Sequence, residues 1–88
     1  MATDTDIVVP ESVLKALNSL PKDIRIRFWE QLERLINNPS HHSLRNEKLA
    51  GTEHWAFSIT MNYRATYVRG QHRLLITAVG THKDVLGS

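Results

Sequence analysis

Apolar residues repeat with different periods in different parts of the chain, and the changes of period mark out the elements. Asp6-Ile7-Val8-Val9 is a β-branched run closed by Pro10, which cannot continue a hydrogen-bonded ladder, so a short first strand is expected there. From Glu11 onward Val13, Leu14, Leu17 and Leu20 recur at helical spacing until Pro21 stops them. Asp23 opens a second, longer helix with Ile24, Phe28, Leu32, Leu35 and Ile36 on one face, while Arg27, Glu30 and Arg34 fall mainly elsewhere. The two helices are predicted to form a hairpin, ended by the turn-favouring residues Asn37-Asn38-Pro39-Ser40 and followed by a polar linker from His41 to Glu47.

After Leu49-Ala50-Gly51 the period drops to two. Trp55, Phe57 and Ile59 alternate with Ala56, Ser58 and Thr60, which is the pattern of a strand with one buried face. A turn at Met61-Asn62 leads into a second strand, where Tyr63, Ala65 and Tyr67 oppose Arg64, Thr66 and Val68. Gly70-Gln71 offers a tight connection to Leu74–Val79, a strand apolar on both sides and therefore expected to be the most buried of the sheet. The fold class is α+β: a short N-terminal strand, a two-helix hairpin and a three-stranded antiparallel sheet, with residues 81–88 as a tail and residues 1–88 as one domain.

Composition excludes several functions. No apolar stretch approaches the roughly 20 residues that a membrane helix needs. Met1-Ala2-Thr3-Asp4-Thr5-Asp6 is acidic and polar where a secretory signal is basic and then apolar, so the cytoplasm is the expected location. With no cysteine there is no disulfide, no thiolate chemistry and no cysteine-ligated metal. The five histidines lack metal-ligand spacing, His41 and His42 being adjacent, so neither a metal nor any other cofactor is expected. Trp29 and Trp55 lie in apolar periodic segments and are expected in the core.

The net charge of +2 conceals an uneven distribution. Up to His42, five basic residues face six acidic ones; from Ser43 onward Arg45, Lys48, Arg64, Arg69, Arg73 and Lys83 face only Glu47, Glu53 and Asp84. The second half can therefore hold an anion, and nucleic acid is the obvious polyanion, with Arg45, Lys48, Arg73 and Lys83 as candidate RNA contacts. His82 directly follows the last strand, and an imidazole there can give or take a proton near neutral pH. Arg64 stands on the polar side of its strand, where its guanidinium fork matches phosphate oxygens; its ordinary alternative is an ion pair to Glu53 or Asp84.

Lys48-Leu49-x-Gly51, then Trp55, then Tyr63-Arg64-x-x-Tyr67, and finally Val79-Gly80-Thr81-His82-Lys83-Asp84-Val85-Leu86 together resemble the pattern of the RelE/ParE toxin superfamily. The resemblance covers Lys48 to Leu86, and the preceding strand and helices agree with it in order and length. It implies the toxin of a type II toxin-antitoxin system, a family also linked to plasmid stabilisation, held inactive in a hetero-oligomer by a cognate antitoxin. It also implies a metal-independent endoribonuclease that cuts mRNA by 2′-hydroxyl attack, in association with the ribosome, and so blocks translation. Arg64 falls at the family's phosphate-stabilising arginine and His82 where ribonuclease members carry an acid/base residue. Three positions depart from the pattern: Leu86 replaces a closing aromatic, and Ala56 and Ser58 stand where RelE carries catalytic lysines, so Lys48, Glu47 or another group must complete the site, or activity is weak. A gyrase inhibitor of the ParE kind and a degenerate toxin that only binds antitoxin are the alternatives.

Overall fold

A computed structural model describes residues 5–86, so the acidic residues 1–4 and the last two residues of the tail lie outside it. Strand β1 (Asp6–Val8) leads into helices α1 (Glu11–Asn18) and α2 (Lys22–Asn37), then a 3₁₀ turn (His42–Leu44). Strands β2 (Glu47–Lys48), β3 (His54–Ser58), β4 (Tyr63–Gly70) and β5 (Arg73–Thr81) follow, and helix α3 (His82–Leu86) ends the described chain. Pro10 and Pro21 occupy the N-cap positions of α1 and α2, their φ angles of −60° and −55° suited to helix entry. The carbonyl of Leu20, just beyond α1, accepts a hydrogen bond of 2.7 Å from Arg25 of α2, which ties the hairpin together at its bend.

The sheet has five strands in the order β1-β5-β4-β3-β2. The antiparallel β3-β4-β5 meander matches the expectation from the alternating pattern, while β1 adds to β5 in parallel and the two-residue β2 pairs antiparallel with β3. The helices cover one face. Val13, Leu17, Phe28, Leu32 and Leu35 pack there with Phe57, Ile59, Ala65, Tyr67, Leu74, Ile76 and Val79. This is the face that the alternation assigns to the core.

Four expectations are corrected. Glu47, read as the end of the linker, forms an edge strand with Lys48, and the tail after Thr81 is helical. The helical tail has a local cause: the Thr81 hydroxyl accepts a hydrogen bond from the backbone N–H of Asp84 at 3.1 Å, an N-cap at the spacing such caps require. Strand β5 is not the most buried, because Leu75, Thr77 and Ala78 remain partly exposed while β3 and β4 bury longer runs. Trp29 is 46% exposed, since it lies one helical step, about 100°, round from the fully buried Phe28. Trp55 packs partly buried against the core, as expected.

Candidate functional site

The other face of the sheet carries the candidate chemistry. Residues opposite one another in antiparallel strands present their side chains on the same face. Ser58, Arg64 and Gly80 form one such row across β3, β4 and β5. The next row contains Glu47, Ala56, Thr66 and Ala78, running out to β2. A bulge at Thr66/Tyr67 leaves Thr77 beside Thr66, their hydroxyls 2.7 Å apart. Helix α3 folds over this face: a Cβ on Gly80 would lie 3.4 Å from Cβ of Asp84 and 3.5 Å from Cγ2 of Val85.

Arg64 is the centre of the arrangement and only 6% exposed. Its Nη2 donates to Glu47 Oε1 at 3.4 Å and to the Arg45 carbonyl at 3.5 Å, both long contacts. Its Nε is buried with no hydrogen-bond partner among the described residues. A buried charge is ordinarily satisfied in full, so a guanidinium with an unmatched N–H and two stretched contacts retains capacity for an anion. The sequence alternatives of Glu53 and Asp84 as its ion-pair partners give way to Glu47, whose side chain is 59% exposed and so reachable from solvent.

The segment that presents Glu47 and the Arg45 carbonyl is pinned from below. Asn46 lies between them, and its Oδ1 accepts a hydrogen bond of 2.5 Å from the hydroxyl of Tyr67. Burial raises the pKa of Tyr67 above 10, outweighing the hydrogen bond to Asn46 and the charge of Arg69, so the phenol keeps the proton that it donates. Arg45 itself adopts a left-handed conformation with φ 47°, which turns the chain from the 3₁₀ turn into β2. The 3₁₀ turn is held by His41, whose Nδ1 accepts from the Ser43 backbone N–H at 3.1 Å, and by Gln31. Gln31, buried in α2, donates to the carbonyls of Ser58 at 2.9 Å and Ser43 at 3.3 Å. Partial burial first, then Arg34, His42 and Arg27, lowers the pKa of His41 below 6.5, which suits an acceptor nitrogen.

His82 is the exposed first residue of α3, two residues beyond Gly80, the row partner of Arg64; its backbone N–H donates to the Asn62 carbonyl at 3.0 Å. Lys83 is exposed beside it. Lys48 is exposed on β2, next to Glu47. Arg73 stands apart at the opposite end of β5, seven residues from Gly80 and so roughly 20 Å away along the strand. The structure thus brings Arg64, the Arg45 carbonyl and Glu47 together, with His82 and Lys83 near the end of the same sheet face, whereas Lys48, opposite Trp55 in the β2–β3 register, falls on the other face and Arg73 stands at the far end of β5. Glu47, Asn46, Tyr67 and Gln31 are the supporting groups that charge and spacing left without a role. Among the described residues, no group of three or more His, Cys, Asp or Glu side chains could hold a metal, and no helix is long and apolar enough to cross a membrane.

No protein-family model matches the chain. No curated protein matches it either. Solved structures do. A chain of an archaeal RelE-RelB complex from Pyrococcus horikoshii is similar, with 25% identity, a TM-score of 0.75, and coverage of 90% of this chain and 96% of that one. A chain of the DinJ-YafQ toxin-antitoxin complex of E. coli matches with 19% identity and a TM-score of 0.75, covering 96% and 99%. A YoeB/ParE toxin from Agrobacterium tumefaciens matches with 18% identity and a TM-score of 0.73, covering 89% and 99%. The class defined here is an α+β fold in which a helical hairpin backs a mostly antiparallel sheet. That fold is shared with the matched RelE, YoeB and YafQ toxin structures, and the likeness to the archaeal RelE-RelB complex supports the RelE/ParE-like toxin superfamily.

Proposed function

We propose that this chain is the toxin of a toxin-antitoxin pair and cleaves RNA without a metal. The observation that carries the proposal is Arg64: a buried guanidinium with one N–H unmatched among the described residues, in long contact with the Arg45 carbonyl and a solvent-reachable carboxylate. An incoming phosphate outcompetes Glu47 for the fork because it offers paired oxygens and more charge. Glu47, released but still adjacent, takes the proton of the 2′-hydroxyl. The 2′-oxygen attacks phosphorus, Arg64 holds the non-bridging oxygens of the five-coordinate phosphorus, and His82 protonates the 5′-oxygen as the P–O5′ bond breaks. The products are a 2′,3′-cyclic phosphate and a free 5′-hydroxyl.

Glu47 answers the departures at Ala56 and Ser58, since a carboxylate on β2 supplies the base that those positions lack. In this reading Arg45 and Lys83 hold flanking phosphates, and Lys48, on the other face of the sheet, does not. We infer mRNA on the ribosome as the substrate, in keeping with the sequence resemblance, and a cognate antitoxin as the partner, in keeping with neighbours solved as RelE-RelB and DinJ-YafQ complexes. Induction of the protein in a bacterial host, with primer extension on cellular mRNA, tests the proposal. Discrete new 5′ ends that vanish with His82→Ala are expected. Growth arrest with intact mRNA and damaged DNA would instead mark a gyrase inhibitor.

A further inference from the structure

Helix α3 lies over the Arg64 face of the sheet at its Gly80 end. Further along the strands the same face is apolar and partly exposed. The register places Val8 of β1 opposite Leu75 of β5, Leu75 opposite Val68 of β4, and Val68 opposite His54 of β3. Their chain neighbours Ile7, Leu74, Tyr67 and Trp55 pack with the core on the helix side, so alternation puts this row on the other face, with Arg64 and Thr66. Val8 is 36% exposed, and Leu75, Val68 and His54 keep part of their surface in solvent. The aliphatic side chains are short and share one sheet surface, so the row is flat. Beyond it stands Arg73, exposed, opposite Gly70 and roughly 20 Å along β5 from the Arg64–Gly80 row. Asp6 faces Arg73 across the β1–β5 register and offsets part of its charge.

We infer that this face is a track for single-stranded RNA: Val8, Leu75 and Val68 support unstacked bases beside the nucleotide whose phosphate sits on Arg64, and Arg73 holds a phosphate further along the strand. The inference rests on the proposed RNA-cleaving reading and deepens it by saying where the rest of the substrate lies. Single-stranded RNA joins anionic phosphates to flat base faces. The surface has the matching order of a cation, a flat apolar row and a second cation. Sequence-tolerant binding uses the same two parts, a cationic path for the backbone and side chains on which base faces rest. The Thr66–Ala78 row bridges the Arg64 row and the apolar row, so one strand of RNA passes from one to the other without leaving the face. At the β3 end His54 adds a ring beside Val68 that can stack on a base. An apolar protein segment would cover the same aliphatic row but would leave the cations at its two ends without phosphates, which favours the polynucleotide.

The test uses the full chain and an unstructured, fluorescent 2′-O-methyl RNA, which has no free 2′-hydroxyl and so cannot be cleaved by one. Anisotropy titrations compare a long strand with a minimal one of two nucleotides, for the wild type, Leu75→Ser, Val68→Ser and Arg73→Gln, with thermal melts to confirm folding. Cleavage of unmodified RNA is read from the same preparations. Each variant is expected to lose about fivefold to tenfold in affinity for the long strand and nothing measurable for the minimal one. Arg73→Gln should also lower the salt dependence of long-strand binding by about one phosphate contact. Long-strand affinity unchanged in all three variants overturns the track and leaves the aliphatic row to a protein partner. Equal losses for the long and minimal strands overturn it too, because they mark damage to the Arg64 site instead of a separate surface. The expected affinity pattern without cleavage by the wild type supports the track and refutes the ribonuclease reading alone.

Discussion

Arg64→Met is expected to make the protein more stable and nearly inactive. The substitution keeps an unbranched, flexible stem while removing the guanidinium, a charge on a residue only 6% exposed. Leaving Nε without a partner costs about 1–3 kcal/mol in the native protein, and that cost disappears. What is lost is an ion pair with a carboxylate more than half exposed, worth about 0–1 kcal/mol, and a long hydrogen bond to the Arg45 carbonyl worth at most about the same. The balance favours the variant by about 1 kcal/mol, which for a chain of this size raises the melting temperature by roughly 4–8 °C. Cleavage should fall by about 10²–10³, the usual consequence of removing one preorganised donor to a developing oxyanion. Urea and thermal unfolding followed by circular dichroism measure the first effect, and single-turnover cleavage the second. Destabilisation by more than about 1 kcal/mol would show that Arg64 is retained to hold β2 on the sheet, and would refute the reading of its orphan N–H as anion capacity.

Three further expectations follow from the groups around the site. Tyr67→Phe removes the hydrogen bond to Asn46 and should cost about 0.5–1.5 kcal/mol of stability, with a larger proportional loss in cleavage rate than in RNA affinity because Glu47 and the Arg45 carbonyl lose their anchor. Gly80→Ala should be tolerated, since the added Cβ meets α3 at van der Waals distance, whereas Gly80→Val should displace α3 and abolish cleavage with the core intact, visible as NMR shifts confined to residues 80–86. His41 titrates below 6.5 in the folded chain, so the unfolded state takes up its proton first and stability declines as pH falls from about 6.5 toward the lower folded value. His41→Asn, which can still cap the 3₁₀ turn, should flatten that decline in pH-dependent urea titrations; an unchanged slope would assign the decline to other groups.

Period and punctuation were enough for the large elements. Two prolines and an unbroken helical repeat located α1 and α2, and strict alternation located β3 and β4 with the correct faces inward. Short elements carry no period, so β2 and α3 were invisible to that reading, although the Thr81-x-x-Asp84 spacing is itself a capping signal. Trp29 was misplaced because its apolar type was weighed above its angular position next to Phe28. The candidate site was legible at Arg64 and His82 from the motifs that surround them. Glu47 was visible only as one of several groups able to complete the site, because its contact with Arg64 spans 17 residues and is created by the β2–β3–β4 register. Charge counting grouped Arg73 with the other candidate RNA contacts, since a count along the chain carries no information about which end of β5 a residue occupies.

Incubation of the purified protein with a short RNA in the presence of EDTA tests the central claim most directly, using one substrate that is all ribose and one with a single 2′-deoxy substitution at the mapped cleavage position. Ribosomes are added in a parallel series. The account predicts a 5′-hydroxyl fragment and a 2′,3′-cyclic phosphate from the first substrate, none from the second, and none from either with Arg64→Met or His82→Ala. Cleavage of the deoxy-substituted RNA at the same position, dependence on a divalent metal, or full activity in either variant would contradict it.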